Sequence, residues 1–112
     1  MNHRKERLNS LIREELAKII MKELEFENAL VTITEVETSD DLEVAVVNFS
    51  VLPSEKNEEV LKQLDKSRSY LRSFLMKKIK MRGCPQIRFK IDTGSENAAK
   101  VEKLLLDDKM DK

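Results

Sequence analysis

The stretch KSRSYLRSFLMKKIKMR, Lys66–Arg82, makes two demands on one segment. Seven of its seventeen residues are basic and none is acidic. Leu71, Phe74, Leu75 and Ile79 nonetheless recur at helical spacing, so one face must dock on a core while the rest carries positive charge. At about 100° per residue, Val60, Leu61 and Leu64 upstream share a stripe with Leu71, Phe74 and Leu75. A straight helix would place Ser67 and Arg68 inside that stripe, where burying an unpaired guanidinium is costly. Two geometries satisfy this pattern. Either the helix kinks or breaks near Ser67–Ser69 and turns those residues out, or it runs straight and Arg68 snorkels from its edge. No Gly or Pro forces the kink.

Downstream, Gly83 and Pro85 close the helix, and unwinding is expected near residue 80, because Lys78 and Arg82 fit its outer face poorly. QIRFKID then alternates cleanly, Ile87, Phe89 and Ile91 one way and Arg88 and Lys90 the other, as in a half-buried strand. TGSE, Thr93–Glu96, matches a capping box and predicts a short final helix carrying Ala98, Val101 and Leu105, with DDKMDK as a frayed end. Upstream, Leu8, Leu11, Ile12, Leu16, Ile19, Ile20 and Leu24 mark an amphipathic helix over residues 4–24. LVTITEVET, Leu30–Thr38, and VAVVNFSVL, Val44–Leu52, read as strands joined by the turn SDDLE, with Ala45, Val47, Phe49 and Val51 facing inward. Pro53 ends the second strand and Ser54 is placed to cap the next helix. The order α-β-β-α-α-β, with a short α at the end, predicts one α+β domain over residues 1–112: a three-stranded sheet covered by helices, its core over residues 4–106 and its frayed end over 107–112.

A chain of 112 residues can bury a core without disulfides or metal. Cys84 is the single cysteine, which fits a reducing compartment. MNHRKERLNS lacks a signal-peptide core and no apolar run approaches the ~20 residues of a membrane span, so a soluble cytoplasmic protein is expected, with no membrane partner. Net charge is zero, yet the charge is segregated. Residues 25–61 hold ten acidic residues and one basic, whereas residues 62–90 hold ten basic and one acidic. Such a basic face attracts polyanions even when the total charge vanishes.

Catalytic equipment is scarce. His3 is the only histidine and lies near the terminus. Cys84 therefore has no second histidine to activate it, and a structural thiol is the simpler reading. With glycine only at positions 83 and 94 there is no phosphate-binding glycine loop, and no Cys/His spacing suits zinc. Asp40, Asp41 and Glu43 are better explained by turn formation than by a metal. No cofactor, metal, small-molecule substrate or enzymatic activity is expected. The basic segment is the strongest signal. A solvated helix face ordinarily interleaves Glu with Lys, but after Asp65 no acid occurs for 26 residues. Tyr70 is the only exposed aromatic candidate nearby, so backbone and shape contacts to structured RNA are favoured over base stacking.

These residues resemble the bacterial ribosome-binding factor A family over roughly residues 4–92. VTITEVETSDDLEVAVVNFSVL, Val31–Leu52, is similar to the family's strand pair, with Ser39-Asp40-Asp41-Leu42 at its turn. SYLRSFLMKKIKMRGCPQIRFKID, Ser69–Asp92, is similar to its helix–strand segment through Arg72, Ser73, Leu75, Lys77, Arg82, Pro85, Phe89 and Asp92. The resemblance implies a type II KH-like fold in which an Ala-x-Gly kink replaces the phosphate-clamping loop. Here Ser67, Arg68 and Ser69 stand at that kink, and Ser69 lacks glycine's backbone freedom, which implies a shallower kink. The implied function is non-enzymatic. It is binding of the small ribosomal subunit and its rRNA, assistance of late maturation and rRNA processing, and an association with cold adaptation, in a monomer. The RNA-binding set is then Ser67, Arg68, Ser69, Arg72, Lys77, Lys80, Arg82 and Arg88, and reversing Arg72 and Lys77 is expected to leave the fold intact. A general KH-like RNA-binding module and a protein-interaction adaptor using the charge dipole are the alternatives.

Overall fold

The computed structural model describes residues 3–79 and 83–92. Helix α1 spans Arg4–Glu23 and buries Leu8, Ile12, Leu16, Ile19 and Ile20, the stripe its spacing predicts. It stops where Leu24 turns extended, with the Leu24 N–H still bonded to the carbonyl of Ile20. Asn28 at φ 52° makes the turn into strand β1, a left-handed position that Asn tolerates.

Strands β1 (Leu30–Thr38) and β2 (Val44–Leu52) form an antiparallel hairpin. Its register shifts between Ile33 and Glu35, leaving Thr34 as a bulge. The bulge has a packing reason. Ile33 and Val36 are three apart and would fall on opposite faces of a regular strand. The extra residue lets them pair with Phe49 and Val47 respectively, both inward residues of β2. Strand β3 (Gln86–Ile91) runs parallel to β2 from Val44↔Gln86 to Phe49↔Ile91, so the sheet order is β1-β2-β3. A parallel pair requires a crossover. Helices α2 (Asn57–Lys66) and α3 (Arg68–Lys78) supply it.

The core lies between the helices and one face of the sheet. Ala45, Val47, Phe49, Val51 and Ile87 from the strands meet Leu8, Ile12, Leu16, Val60, Leu64, Leu71 and Leu75 from the helices. Phe49 meets Phe89 edge-on at 6.2 Å between ring centroids. On the sheet's other face Glu35, Glu37, Arg88 and Lys90 are exposed.

The long helical pattern is broken at Ser67, and Arg68 is turned out with its side chain 40% exposed. Ser67 serves both helices. Its N–H closes α2 on the carbonyls of Gln63 (3.2 Å) and Leu64 (3.0 Å), and its carbonyl opens α3 by accepting from the Leu71 N–H (2.8 Å). Its φ of −97° and ψ of 6° suit any residue, so the break has no need of glycine. Ser69, expected at the kink, lies inside α3 instead. Ser54 differs from expectation too: it opens a 3-10 turn, Ser54–Lys56, and makes no side-chain cap, so α2 begins only at Asn57. Helix α3 ends at Lys78 with Ile79 extended, near the expected unwinding point. The proposed capping box and C-terminal helix lie outside the described residues.

Candidate nucleic-acid interface

The α2–α3 break and the start of β3 enclose a groove of about 440 Å³. Asp65, Lys66, Arg68, Ser69, Arg72, Ser73 and Met76 line its helical side, and Gln86, Ile87 and Arg88 line its strand side. The helical residues recur every three to four positions, one stripe that continues across the break. Four of the expected RNA-binding residues thus share one groove: Arg68, Ser69, Arg72 and Arg88.

The four differ in what the fold asks of them. The Nε of Arg68 lies 3.9 Å from Asp65 Oδ1, and both side chains are well exposed. Such a pair is weak and leaves the guanidinium available to an incoming anion. Ser69 belongs to the first turn of α3, where helix geometry leaves backbone N–H groups without an intrahelical acceptor. Arg88 is exposed on β3. Arg72 is committed to the fold: its Nε donates to the Pro85 carbonyl at 3.0 Å and its Nη2 to the Cys84 carbonyl. The expectation that reversing Arg72 leaves the fold intact is therefore corrected, because a glutamate there would face two carbonyls with no donor. Cys84 beside it is buried, and burial pushes its thiol pKa up against the opposing pull of Arg72.

Lys77 sits apart from the groove, with its ammonium 5.4 Å from the centre of the Phe74 ring. Phe74 in turn meets Tyr70 edge-on at 5.0 Å. Tyr70 is half exposed, but its hydroxyl donates to Glu23 Oε1 at 2.9 Å, which raises its pKa and ties α3 to α1. Ser67 makes the break without lining the groove. Lys80 and Arg82 lie outside the described residues. Asp65, Lys66, Ser73, Met76, Gln86 and Ile87 were absent from the expected site. The helical ones were within reach of the sequence, since continuing the Arg68–Arg72 face by one turn in each direction arrives at Asp65 and Met76.

A profile of ribosome-binding factor A matches residues 4–105. The chain belongs to the ribosome-binding factor A family. It is 36% identical over 105 residues to the ribosome-binding factor A of Coprothermobacter proteolyticus, an alignment covering 93% of this chain and 77% of the relative. Its fold resembles the solution structure of a Thermotoga maritima ribosome binding factor A, with a TM-score of 0.71 at 30% identity, covering 84% of this chain and 93% of the other. It also resembles a homology model of Thermus thermophilus ribosome binding factor A fitted into a cryo-electron microscopy map of a 30S complex, with a TM-score of 0.70 at 27% identity, covering 79% and 94%. Among the described residues, no helix is long and apolar enough to cross a membrane.

Proposed function

We propose that this protein binds the small ribosomal subunit through its rRNA and assists late maturation of that subunit, rRNA processing included, without catalysing a step itself. The observation that carries this reading is the convergence of Lys66, Arg68, Arg72 and Arg88 on one groove, in a chain whose Thermus relative was fitted into a 30S complex. Cations from three elements facing one channel suit the phosphates of folded RNA, and the lack of a free aromatic platform there suits backbone contact over base stacking. Arg68 and Arg88 neutralise phosphates, Ser69 offers its hydroxyl and the first turn of α3, and Arg72 holds the groove's shape while adding charge. On this reading the break at Ser67 takes the place of the phosphate clamp of a KH-like domain. The protein acts as a cytoplasmic monomer.

Co-sedimentation with purified small subunits, large subunits and free rRNA across a salt series tests this. Selective binding to small subunits is expected, weakening steeply with salt. Arg68→Glu and Arg88→Glu should each lower affinity by about tenfold and reduce the salt slope by about one. Equal affinity for all three targets would reduce the function to general RNA binding. Unchanged affinity in both variants would reject the groove as the binding surface.

A further inference from the structure

The basic groove holds one side chain that phosphates do not explain. Asp65 is the only acid among the described residues that line it, beside Lys66, Arg68, Arg72 and Arg88. The fold gives Asp65 little reason to stand there. It lies in the last turn of α2, where the helix dipole disfavours a negative charge. Its ion pair with Arg68, at 3.9 Å with side chains 48% and 40% exposed, contributes little to stability. Once a phosphate takes Arg68, the carboxylate faces an anion that it repels, unless the same ligand also brings it a hydrogen-bond donor.

Ser73 adds a second acceptor. Its hydroxyl gives its hydrogen to the Tyr70 carbonyl at 2.6 Å, so it has only lone pairs left to offer the groove that it lines. Asp65 and Ser73 share the helical stripe that crosses the break, with Arg68, Ser69 and Arg72 between them. One channel thus combines cations that donate with oxygens that accept. Phosphate oxygens are themselves acceptors and satisfy only the cations. The sugar–phosphate backbone of RNA carries one donor for the oxygens, the ribose 2′-hydroxyl, and DNA lacks it. Base edges carry donors too, but no free aromatic platform here holds a splayed base in reach, which favours the ribose.

We propose that Asp65 and Ser73 read ribose 2′-hydroxyls while the neighbouring cations hold the phosphates, so that the groove selects a ribose backbone over one without the hydroxyl. This inference rests on the proposal that the groove binds rRNA. In the bound state Arg68 turns from Asp65 to a phosphate, and the freed carboxylate accepts from the hydroxyl of an adjacent nucleotide. A hydrogen bond to a charged acceptor is among the stronger kinds, so this contact offsets the repulsion that the acid introduces. Asp65 is then a specificity residue, converting attraction for any polyanion into preference for RNA.

Fluorescence anisotropy of the full chain tests this, with synthetic hairpins that tile the small-subunit rRNA. Each hairpin is made once with ordinary riboses and once with 2′-fluoro riboses, which keep bases and phosphates and remove the donor. The unaltered chain should bind the hydroxyl form about tenfold more tightly, the worth of one hydrogen bond to a charged acceptor. Asp65→Ala should cut that preference to about twofold or less, and Ser73→Ala should lower it by a smaller factor. Asp65→Ala should not weaken binding of the fluoro form, because it removes a negative charge from a basic groove. Arg88→Glu should weaken both forms together and keep the preference. No preference in the unaltered chain, or one that Asp65→Ala leaves intact, would overturn the inference, while binding that still responds to Arg88→Glu would keep the rRNA reading in place. Equal weakening of both forms by Asp65→Ala would overturn it in favour of a base donor. No binding at low salt to any hairpin or to the small subunit would remove the rRNA reading and this inference together.

Discussion

Arg72 and Arg68 are one helical turn apart and both line the basic groove, yet they differ in what they do for the fold. Arg72 bonds the carbonyls of Cys84 and Pro85 and so pins the start of β3 to α3. Arg72→Ala leaves both part-buried acceptors unpaired and should cost about 1–3 kcal/mol. Arg68, turned to solvent, should change stability by no more than about 0.5 kcal/mol when replaced by Ala. Urea unfolding of the two variants checks this, and equal stabilities would remove the structural role assigned to Arg72. The sequence shows both residues as basic and close to the core stripe. It cannot show which one meets a carbonyl, because Cys84 and Pro85 reach Arg72 only after the chain has turned back through Ile79. Asn9 was illegible for a similar reason. Its Oδ1 accepts from both the N–H (3.0 Å) and the hydroxyl (2.8 Å) of Thr38, which is only 1% exposed. The bond satisfies a buried threonine from an element 29 residues away, and nothing local to Asn9 signals it.

At the level of elements, helices and strands were legible wherever apolar periodicity was long. Helix α1 and both faces of β2 and β3 follow their patterns. What periodicity hid was the bulge at Thr34, since β-branched residues fill β1 on both sides of it, and whether the helix breaks or runs straight near Ser67–Ser69, which backbone bonding at Ser67 decides. The hairpin turn was legible by composition, and its bonding now has a mechanism. The Ser39 hydroxyl donates to Asp41 Oδ1 at 2.6 Å and accepts from the N–H groups of Glu43 and Val44, while Leu42 takes φ 61°. The Ser39 hydroxyl, and next the Glu43 N–H, hold the Asp41 pKa below its ordinary 3.8. A depressed carboxyl pKa contributes stability that is fully present above the ordinary value and lost as pH falls through the depressed one. Ser39→Ala should therefore return the Asp41 carboxyl titration toward 3.8, which a carbon-detected NMR titration reads directly. A midpoint identical to that of the unaltered chain would show that the hydroxyl has no such role.

Across the whole molecule, the charge segregation seen in the sequence becomes a direction in space. The register sets Glu35 opposite Asn48 and Asn48 opposite Lys90, then Glu37 opposite Val46 and Val46 opposite Arg88. Acid lies on one edge of the sheet and base on the other, with β2 between them. On the proposed function, the acidic edge would repel the RNA and the basic groove attract it, and the field would orient the two before contact. The sequence made the two poles legible, but the axis joining them follows from strand order, in which β3 lies on the far side of β2 from β1. That order also sets the sequence of assembly. The β1–β2 hairpin closes locally, whereas β3 can pair only after the chain from Pro53 to Pro85 has crossed over as two helices, a contact of much greater loop-closure cost. Pulse-labelled hydrogen exchange should find amides of β1 and β2 protected before those of β3, and simultaneous protection would refute that order. Because Gln86, Ile87 and Arg88 form one wall of the groove, a nascent or partly unfolded chain has a hairpin but no basic groove. On the proposed function, only a molecule that has finished folding would engage its target, and immature copies would be barred from competing for the site.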